Sequence, residues 1–489
     1  MLATWRKLAD VFEGTGGFAD GTYLVAHPRE YKDWQVDVPR IPTKKLVARR
    51  KLARYENVAA TILEQKQAAL FREAVTRTVG GQDREEKDAP HPLELWWDNV
   101  DGAYCDIDSW MAEAFLMSGL FGHVFHYMDR DSVEAETAAD QSQPFLRCYT
   151  PLDCSDWIQN DRGTLTAVKL LEAAPRTDLT KAFLEQRPRE RVVTETDWTL
   201  YDFSSGQPKT TTGAHLFAGL PVVVQYAKRR RLLPLVGAST LNDPALYIDL
   251  YNLTSEIREL LRNQTFGIMN VELGTGEHRV GVEEAQTMMG SEKGSENVMF
   301  TPGPATYVQP DTANVEVYQK ERAELMRSIF RLAAIPWETD SKDAEAEGSL
   351  KLKREDMNQV LANYANECQK AEYAIAELWF RSQYGEAWEQ KYDAAEVEIR
   401  YPTTFDVTPF AELIEQSQAA VGLEMPPTFM NELRKRLVSK FLPEVSTQVM
   451  DAIEQEMDAM PVTSPAQQRA EEMKLRYGQP KPGQPGAGA

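Results

Sequence analysis

The sequence predicts an α+β protein in which regular helices and a strand-rich segment occupy different parts of the chain. Three observations predict this class. Apolar residues repeat at helical spacing on both sides of a short segment of alternating strand and turn residues between 265 and 310. One helical pattern then continues after Ser349 for about 30 residues, or roughly 45 Å at 1.5 Å per residue. Residues typical of strands concentrate at 140–227.

The first regular helix is predicted to begin at Asn242-Asp243-Pro244, where polar residues can cap the helix and proline occupies its first turn. Leucine and isoleucine then recur at spacings of four and three, which places one apolar stripe along the helix. The stripe consists of Leu246, Leu250, Leu253, Ile257 and Leu260. We expect the helix to end near Asn263.

Between 265 and 310 the pattern changes to that of a small α/β module. Strands are predicted at 266–273, 297–300 and 306–309, with a turn at Gly274–Gly276 and a short helix at Val282–Met289. A second helix is predicted from Asp311 to Ile335, because the residue before Pro336 disfavours further helix. Its apolar face carries Tyr318, Leu325, Ile329 and Leu332. The two helices could pair as an antiparallel stalk with the module at its tip.

An acidic segment follows the second helix. Residues 337–348 hold five acids (Glu338, Asp340, Asp343, Glu345 and Glu347) against the single Lys342, without apolar periodicity. This composition predicts a mobile loop. Ser349 is then expected to cap the long helix, whose apolar positions include Met357, Val360, Leu361, Tyr364, Cys368, Ala371, Ile375 and Leu378.

The remaining segments are assigned more coarsely. Residues 1–90 are predicted to be mostly helical with an exposed linker at Gly80–Asp88, and Val397–Tyr401 is predicted to be a strand. Strands within 140–227 are expected at Leu165–Leu171, Trp198–Tyr201 and Pro221–Val224. Three capped helices are expected to open at Thr408, Thr428 and Pro443. The last 29 residues contain five prolines and four glycines, which is typical of a disordered tail.

Taken in this order, the elements resemble the portal proteins of tailed bacteriophages, in which a stem helix, a clip, a second stem helix, a tunnel loop and a long kinked wing helix follow one another. Shorter segments resemble the N-terminal wing of one portal subfamily. They are Lys51–Val58, Ala69–Phe71, Val100–Gly102, Gly119–Gly122, Tyr149–Pro151 with Asp156-Trp157, and His215–Pro221. The resemblance covers about the first 390 residues. These segments are packing patterns, and their order carries the resemblance.

The resemblance implies a portal-protein fold with a mixed α/β wing, a helical-hairpin stem, a small α/β clip, a long wing helix and a helical crown. The implied boundaries are 1–240 for the wing, 241–264 for the first stem helix, 265–310 for the clip, 311–336 for the second stem helix, 337–349 for the tunnel loop, 350–404 for the long wing helix and strand, 405–460 for the crown and 461–489 for the tail. The implied stem seam consists of Leu246, Leu250, Leu253, Ile257, Leu325 and Ile329. The implied channel-lining residues of the tunnel loop are Asp340, Lys342, Asp343, Glu345 and Glu347.

The same resemblance implies a homo-oligomeric ring, dodecameric in the virion, at one capsid vertex. Such rings use heterologous interfaces, in which one face of each subunit meets a different face of the next. The ring would give double-stranded DNA a channel without reading its sequence. Its implied partners are the terminase large subunit, the head–tail adaptor, and the major capsid and scaffolding proteins, with assembly in the host cytoplasm.

Charge and composition fit this role without indicating it alone. The formal net charge is −21, which suits a soluble surface and also an acidic channel wall that repels phosphate and lets DNA slide. The most apolar run, Met111–Met128, contains Glu113, His123 and His126, so no membrane span is expected. The four cysteines include no C-x-x-C pair, which argues against a structural zinc site or a disulfide framework.

Two clusters of basic residues contrast with the negative net charge of the chain. Six cations lie within 44–54, at the start of a helix predicted to run through Ala48, Leu52, Tyr55, Val58, Ile62 and Ala69. A solvated or subunit-bridging face is favoured there over DNA binding. The second cluster consists of Lys228, Arg229, Arg230 and Arg231, just before the first stem helix. It could pair with an acidic neighbour or face DNA.

Three apparent chemical sites are discounted. Gly14–Gly21 is glycine-rich but lacks the Gly-Lys-Ser/Thr of a P-loop, so ATP hydrolysis would belong to another protein. His123 and His126 have metal-compatible spacing on a helix, yet core packing is favoured. The aromatic and acidic cluster from Trp96 to Trp110 does not follow the EF-hand spacing. We therefore assign no catalytic, cofactor-binding or metal-binding residue and no cofactor, and expect no enzyme activity.

Two alternative functions stay open at this point. A glycan-acting hydrolase could use paired carboxylates from Asp98, Asp101, Asp106 and Asp108 among the aromatic residues. A ring-forming capsid or tail component could share the architecture without docking a motor.

Overall fold

A computed structural model describes residues 1–26, 30, 44–80, 90–130, 143–173, 188–205, 207–215, 217–230, 232–233, 235–265, 268–272, 298–301, 306–308, 313–335, 347–402, 405, 438, 453 and 456. The chain divides into two compact units, Met1–Phe405 and Asp406–Ala489. Beyond Phe405 the described residues are only 438, 453 and 456, so the predicted crown helices and tail lie almost entirely outside them. The predicted helix at Val282–Met289 and the linker residues after Gly80 also lie outside them.

The N-terminal region is mostly helical, as predicted, but two helices occupy the range in which a single helix was predicted. Helix α1 spans Leu2–Glu13, α2 spans Lys44–Leu52 and α3 spans Val58–Leu70. The single helix predicted to run from the basic cluster through Ala69 is wrong. It is interrupted because Asn57 starts a new helix, with its side-chain oxygen accepting the Ala60 amide at 3.0 Å.

Two capped helices lead into the central sheet. Helix α4 spans Pro92–Trp97 and begins with a capping box between His91 and Glu94. Helix α5 spans Ile107–Phe121, and the carboxylate of Asp106 accepts the Ser109 amide at 2.7 Å. Helix α5 ends at Gly122 in the left-handed conformation.

Antiparallel strands dominate the segment that follows. Strands β2 to β9 span His123–Asp129, Phe145–Tyr149, Cys154–Gln159, Leu165–Ala173, Pro188–Thr194, Asp197–Ser205, Gln207–Ala214 and Val222–Tyr226. They form a three-stranded sheet in the order β3-β2-β9 and a five-stranded meander from β4 to β8. The strand-rich character predicted for 140–227 is confirmed. The chain is a mixed helix and sheet protein, in agreement with the α+β prediction.

A helical hairpin carries three short strands. Helix α6 spans Ala245–Thr265 and α7 spans Ala313–Leu332. Between them, β10 (Ile268–Glu272) pairs in parallel with β11 (Val298–Thr301) and antiparallel with β12 (Thr306–Val308). The predicted cap at Asp243 is present, because its carboxylate accepts the Ala245 amide at 2.9 Å.

Helix α7 ends three residues before the predicted end at Ile335. The Ile335 amide donates to the Phe330 carbonyl and the Ala334 amide to the Arg331 carbonyl, each at 3.0 Å. These two bonds form a Schellman motif, and Ala334 takes the required left-handed conformation with φ 55°. The buried Ile335 packs in the same apolar cluster as Phe330. The Schellman bonds and this contact end the helix before the residue that precedes Pro336.

We expect Ala334→Gly to stabilise the subunit by about 0.5–1 kcal/mol. Glycine adopts the left-handed conformation without the steric penalty of a Cβ atom, and this gain exceeds its larger loss of chain entropy. The same substitution at Ala323, an exposed position inside α7, should destabilise the protein by about 1 kcal/mol. Urea unfolding of both variants provides the measurement. Equal effects at both positions would contradict the assignment of strain to Ala334.

The longest helix crosses the first unit. Helix α8 spans Glu347–Tyr384, 38 residues, and is followed by α9 (Trp388–Ala395) and β13 (Glu398–Arg400), which pairs with β1 (Thr76–Thr78). The helix begins two residues before the predicted cap at Ser349. Glu347, assigned to the acidic loop, therefore lies in the first turn of the helix, where a carboxylate is favoured by the helix dipole.

Three apolar clusters organise the unit. The first surrounds α8 and joins it to α4 and α5. The second joins α1, α3 and the hairpin formed by α6 and α7. The third fills the space between β2 and the meander. Helix α5 contributes to the first two clusters, so it connects the long helix to the hairpin.

The last glycine of the Gly119–Gly122 motif packs against the backbone of Gly237. Gly122 has a φ of 96°, and a Cβ atom added at Gly237 would lie 1.8 Å from the Gly122 carbonyl oxygen. The two backbones therefore approach as closely as glycine allows. This contact holds the end of α5 against the segment that leads into α6.

Candidate assembly and DNA-facing elements

The predicted seam residues fall into two groups. Leu250, Ile257 and Ile329 are buried, whereas Leu246, Leu253 and Leu325 are partly buried. Leu332 is 51% exposed. The most buried face of each helix is rotated from the predicted stripe and carries residues that the sequence analysis missed. These residues are Tyr247 and Tyr251 on α6, Met326 and Phe330 on α7, and Ala333 directly after α7.

An aromatic cluster packs helix α6 against residues near the N-terminus. The Tyr251 hydroxyl donates to the Phe18 carbonyl at 3.1 Å, and the Phe18 ring lies 5.2 Å from the Tyr251 ring and 4.0 Å from the Tyr55 ring. Asn252 accepts the Val25 amide at 2.7 Å. The glycine-rich segment near the N-terminus therefore forms tight turns that pack against α6.

The insert between α6 and α7 is a small sheet. Within the described residues, β10, β11 and β12 pair only with one another. Strand β10 follows α6 after two residues. Strands β10 and β12 lie inside the predicted segments 266–273 and 306–309, and β11 overlaps 297–300 and ends one residue beyond it. Of the predicted channel residues, Asp340, Lys342, Asp343 and Glu345 lie outside the described residues.

The described basic residues before α6 are exposed, and one of them, Arg229, already forms an ion pair. Lys228, Arg229 and Arg230 lie at the surface, and Arg231 lies outside the described residues. The guanidinium of Arg229 donates to Glu367 at 2.9 Å and lies 4.5 Å from the centre of the Tyr226 ring. Its charge is therefore already engaged by α8.

The first basic cluster is partly structural. Arg49 is buried and donates to the Glu30 carboxylate at 2.9 Å and to the Val25 carbonyl at 2.6 Å. This residue joins α2 to the segment beside α6. It therefore fits neither a solvated face nor a DNA contact.

The two histidines belong to the core, and the possible helical arrangement is wrong. They lie on strand β2 at a spacing of three, which directs them to opposite faces. Burial lowers the pKa of His126 to about 4, partly opposed by its hydrogen bond with Gln225. Trp110 donates to Nδ1 of His126 at 3.1 Å, and the other ring nitrogen lies 2.8 Å from the Gln225 oxygen. This arrangement holds a neutral histidine.

His123 is also neutral at pH 7. Burial, with a contribution from the Arg230 cation, lowers its pKa to about 4. Its Nδ1 atom accepts the Gly237 amide at 3.3 Å. Among the residues that the structure describes, no group of three or more histidine, cysteine, aspartate or glutamate side chains has a metal-binding arrangement.

The aspartates of the hydrolase alternative shape local structure. Asp101 accepts the amides of Ala103 at 2.7 Å and Cys105 at 3.0 Å, and Asp106 caps α5. Asp108 pairs with Arg77 at 2.7 Å, and Asp98 lies at the end of α4. The Trp96 indole nitrogen donates to the Pro144 carbonyl at 2.6 Å. Asp101 and Asp106 therefore make turn and cap contacts, and Asp108 makes an ion pair.

A buried ion pair that the sequence analysis missed anchors the long helix. The guanidinium of Arg77 on β1 forms two hydrogen bonds with the Glu372 carboxylate on α8, and Glu372 is 1% exposed on its side chain. The Tyr401 hydroxyl donates to the same carboxylate at 2.6 Å. Burial alone lowers the pKa of Arg77, but Glu372 and Asp108 outweigh this effect and raise it. The partners are separated by 295 residues in the sequence, so no local pattern could have indicated them.

One buried lysine lies between α3 and α8. Lys66 is 2% exposed, and its ammonium group lies 5.7 Å from the centre of the Tyr364 ring. Burial lowers its pKa from 10.5 to about 8. The folded protein therefore binds this proton less tightly than the unfolded chain. The resulting penalty is fully present below pH 8 and disappears as the pH rises towards 10.5.

We expect Lys66→Met to stabilise the protein by about 3 kcal/mol at pH 7, since one pKa unit corresponds to about 1.4 kcal/mol. The gain should shrink between pH 8 and 10.5 as the lysine of the parent protein becomes neutral. Denaturant unfolding at pH 7 and pH 10 measures it, with the exposed Lys51→Met as control. A gain that is the same at both pH values would contradict the depressed pKa.

None of the helices in the described part of the chain is long and apolar enough to cross a membrane.

Comparisons with known proteins found distant similarities of structure only. No protein-family model matches the chain, and the search of curated proteins found no match. One similar solved structure is the "Neck of empty GTA particle computed with C6 symmetry", with 12% identity and a TM-score of 0.40 over 80% of this chain and 94% of that chain. Another is the "Virion of native gene transfer agent (GTA) particle", with 12% identity and a TM-score of 0.37 over 74% and 84% of the two chains.

Proposed function

We propose that this chain is the subunit of a portal ring at one vertex of a tailed-phage capsid. The ring would form the channel for DNA packaging and ejection. It would present its clip to the terminase large subunit and later to the head–tail adaptor. Contacts with the major capsid and scaffolding proteins would place it in the virion. On this proposal the chain has a structural role, and the DNA motor is a separate protein.

The observation that supports the proposal best is the succession α6, insert sheet, α7 and α8. The Asn242 side chain at the start of α6 donates to the Leu332 carbonyl at the end of α7 at 3.1 Å, so these two ends lie together. The insert sheet lies at the other ends of the same helices. An antiparallel helical pair with a small sheet at its tip, followed by a 38-residue helix, matches the order of stem, clip, stem and wing helix.

The proposed domain boundaries follow this arrangement. Residues 1–240 would form the wing, α6 and α7 the stem, and 266–310 the clip. The acidic residues 337–346 would form the tunnel loop, α8 and β13 would complete the wing, and 405–460 would form the crown. The partly buried Leu246, Leu253 and Leu325 would be covered further when stems associate.

Electron microscopy of the purified full-length protein tests the proposal. We expect rings with a central channel, a narrow stalk and a wider body, dodecameric when assembled in a virion. Rings that lack a stalk would favour the alternative of a capsid or tail component without a motor-docking role. Particles the size of a single subunit at all protein concentrations would overturn the proposal.

The acidic loop gives a separate test of the channel. We expect conversion of Asp340, Asp343 and Glu345 to lysine to leave ring assembly intact and to slow DNA translocation. Every subunit would then present cations to phosphate, and the slowing should weaken as salt rises. Packaging measured at low and moderate salt provides the comparison. A normal rate at both would place this loop away from the DNA path.

A further inference from the structure

A rigid loop between α4 and α5 presents one aromatic side chain to solvent. Tyr104 is 92% exposed and has a φ of 75°, a conformation that costs a bulky residue free energy. Asp101 accepts two backbone amides of the loop, and Asn99 accepts the Tyr104 amide at 2.8 Å. The loop is thus held by its own side chains. Local stability favours asparagine or glycine at this position, so the tyrosine points to a contact outside the subunit.

A groove on another part of the unit could accept such a side chain. It has a volume of about 350 Å³ and lies between β9, the turn of the β4–β5 hairpin and α8. Its apolar lining includes the partly buried Val222, Val224 and Ala374. Pockets of this size bury whole small ligands, so one aromatic ring fits within it.

The charges of the loop and the groove are complementary. Residues 98–108 contain four aspartates and no lysine or arginine. The groove is lined by three cations, Arg229, Lys370 and Arg381, and by the two acids Glu367 and Glu377. These groups form ion pairs with one another, and three cations against two acids leave the lining with a net charge of +1.

The loop and the groove lie at opposite edges of one sheet. In the order β3-β2-β9, the Leu146 amide of β3 donates to the Val100 carbonyl beside the loop at 2.7 Å. Strand β9 forms the other edge and lines the groove. A heterologous contact between identical subunits requires two different, complementary surfaces on each subunit. The exposed Tyr104 side chain and the groove on the opposite side could be these two surfaces.

We propose that Tyr104 of one subunit inserts into the β9–α8 groove of the next subunit, so that this contact joins neighbouring copies of the chain. The inference rests on the ring assembly proposed above and names the surfaces that meet in it. The aromatic side chain would act as an anchor, because buried tyrosines contribute a large part of the affinity at protein interfaces. The aspartates around Tyr104 would lie against the arginine and lysine side chains that line the groove.

Photo-crosslinking tests the contact directly. We expect Tyr104→p-benzoylphenylalanine, after illumination of assembled full-length protein, to give covalent dimers whose cross-linked peptides come from β9 or α8. Cross-links to peptides from other surfaces, or only within one chain, would overturn the inference.

Two substitutions measure the energy of the contact. Tyr104→Asn keeps a residue that tolerates positive φ and should weaken self-association about 30-fold, the effect of losing a hot-spot residue. Ala374→Leu should weaken it similarly by filling the groove. The control Ile158→Ser removes another exposed apolar side chain and should have little effect. Circular dichroism checks that each variant is folded.

Analytical ultracentrifugation separates failure of this contact from failure of the proposed function. Assembly with unchanged affinity in Tyr104→Asn and Ala374→Leu would overturn the contact and leave the ring proposal standing. A parent protein that stays monomeric at all concentrations would overturn both.

Discussion

Replacing Glu372 by alanine is expected to destabilise the subunit by about 3–5 kcal/mol. The Arg77 side chain is 8% exposed, and two of its hydrogen bonds end on the Glu372 carboxylate. Without that carboxylate, Asp108 is the remaining ion-pair partner of the buried guanidinium among the described residues, and its side chain is 57% exposed. The Tyr401 hydroxyl also loses its acceptor. Denaturant unfolding of the purified variant measures the loss.

A double variant distinguishes an unpaired charge from simple loss of packing. Arg77→Met with Glu372→Leu replaces both partners by apolar groups of similar size, and this change is often neutral or stabilising at a buried pair. We therefore expect the double variant to regain most of the stability lost in Glu372→Ala. If both variants are equally unstable, the cost lies in packing around α8 and not in the uncompensated charge.

This pair matters for the proposed assembly because it fixes the long helix. Arg77 lies on β1, Asp108 on α5 and Glu372 on α8, so one set of hydrogen bonds joins three elements. The same helix lines the groove proposed to receive Tyr104. A subunit that loses the pair should therefore assemble less well even under conditions where it remains folded.

The sequence predicted those elements that depend on helix caps or on the spacing of nearby apolar residues. The cap at Asp243, the strands inside the insert, the strand-rich segment and the long helix all depend on spacing or capping within a few residues. The break at Asn57 was detectable in the same way. Asparagine followed by an apolar helical pattern is an N-cap signal, and the continuous apolar spacing through Tyr55 concealed it.

Features set by tertiary contacts were not predictable in this way. The leucine spacing located α6 and α7 but not their most buried faces, because Tyr247 and Tyr251 pack against residues near the N-terminus. The Schellman end of α7 depends on burial of Ile335, and the Arg77–Glu372 pair joins distant segments. The groove between β9 and α8 exists only after the sheet and the helix have packed.

On the portal function proposed above, replacing residues 266–310 by a short Gly/Ser linker is expected to leave a folded, ring-forming subunit that packages no DNA. The described strands of this segment pair with one another and add no strand to the other sheets of the first unit. The hairpin should persist because Tyr247, Leu250, Met326 and Ile329 remain buried at its other end. Joining the helices by a flexible linker costs little, since loop-closure entropy varies slowly with length.

The loss of packaging should follow from the loss of a docking surface rather than from misfolding. Rings of the linker variant should have a normal channel in electron micrographs, while DNA-filled heads fall to the level of a control without portal subunits. Replacing 81–89 by a Gly/Ser segment of equal length is the matched control and should leave packaging unchanged. Normal packaging and tail joining by the variant without the insert would show that residues 266–310 are not the clip. Failure of that variant to form rings would instead assign the insert to the contact between subunits.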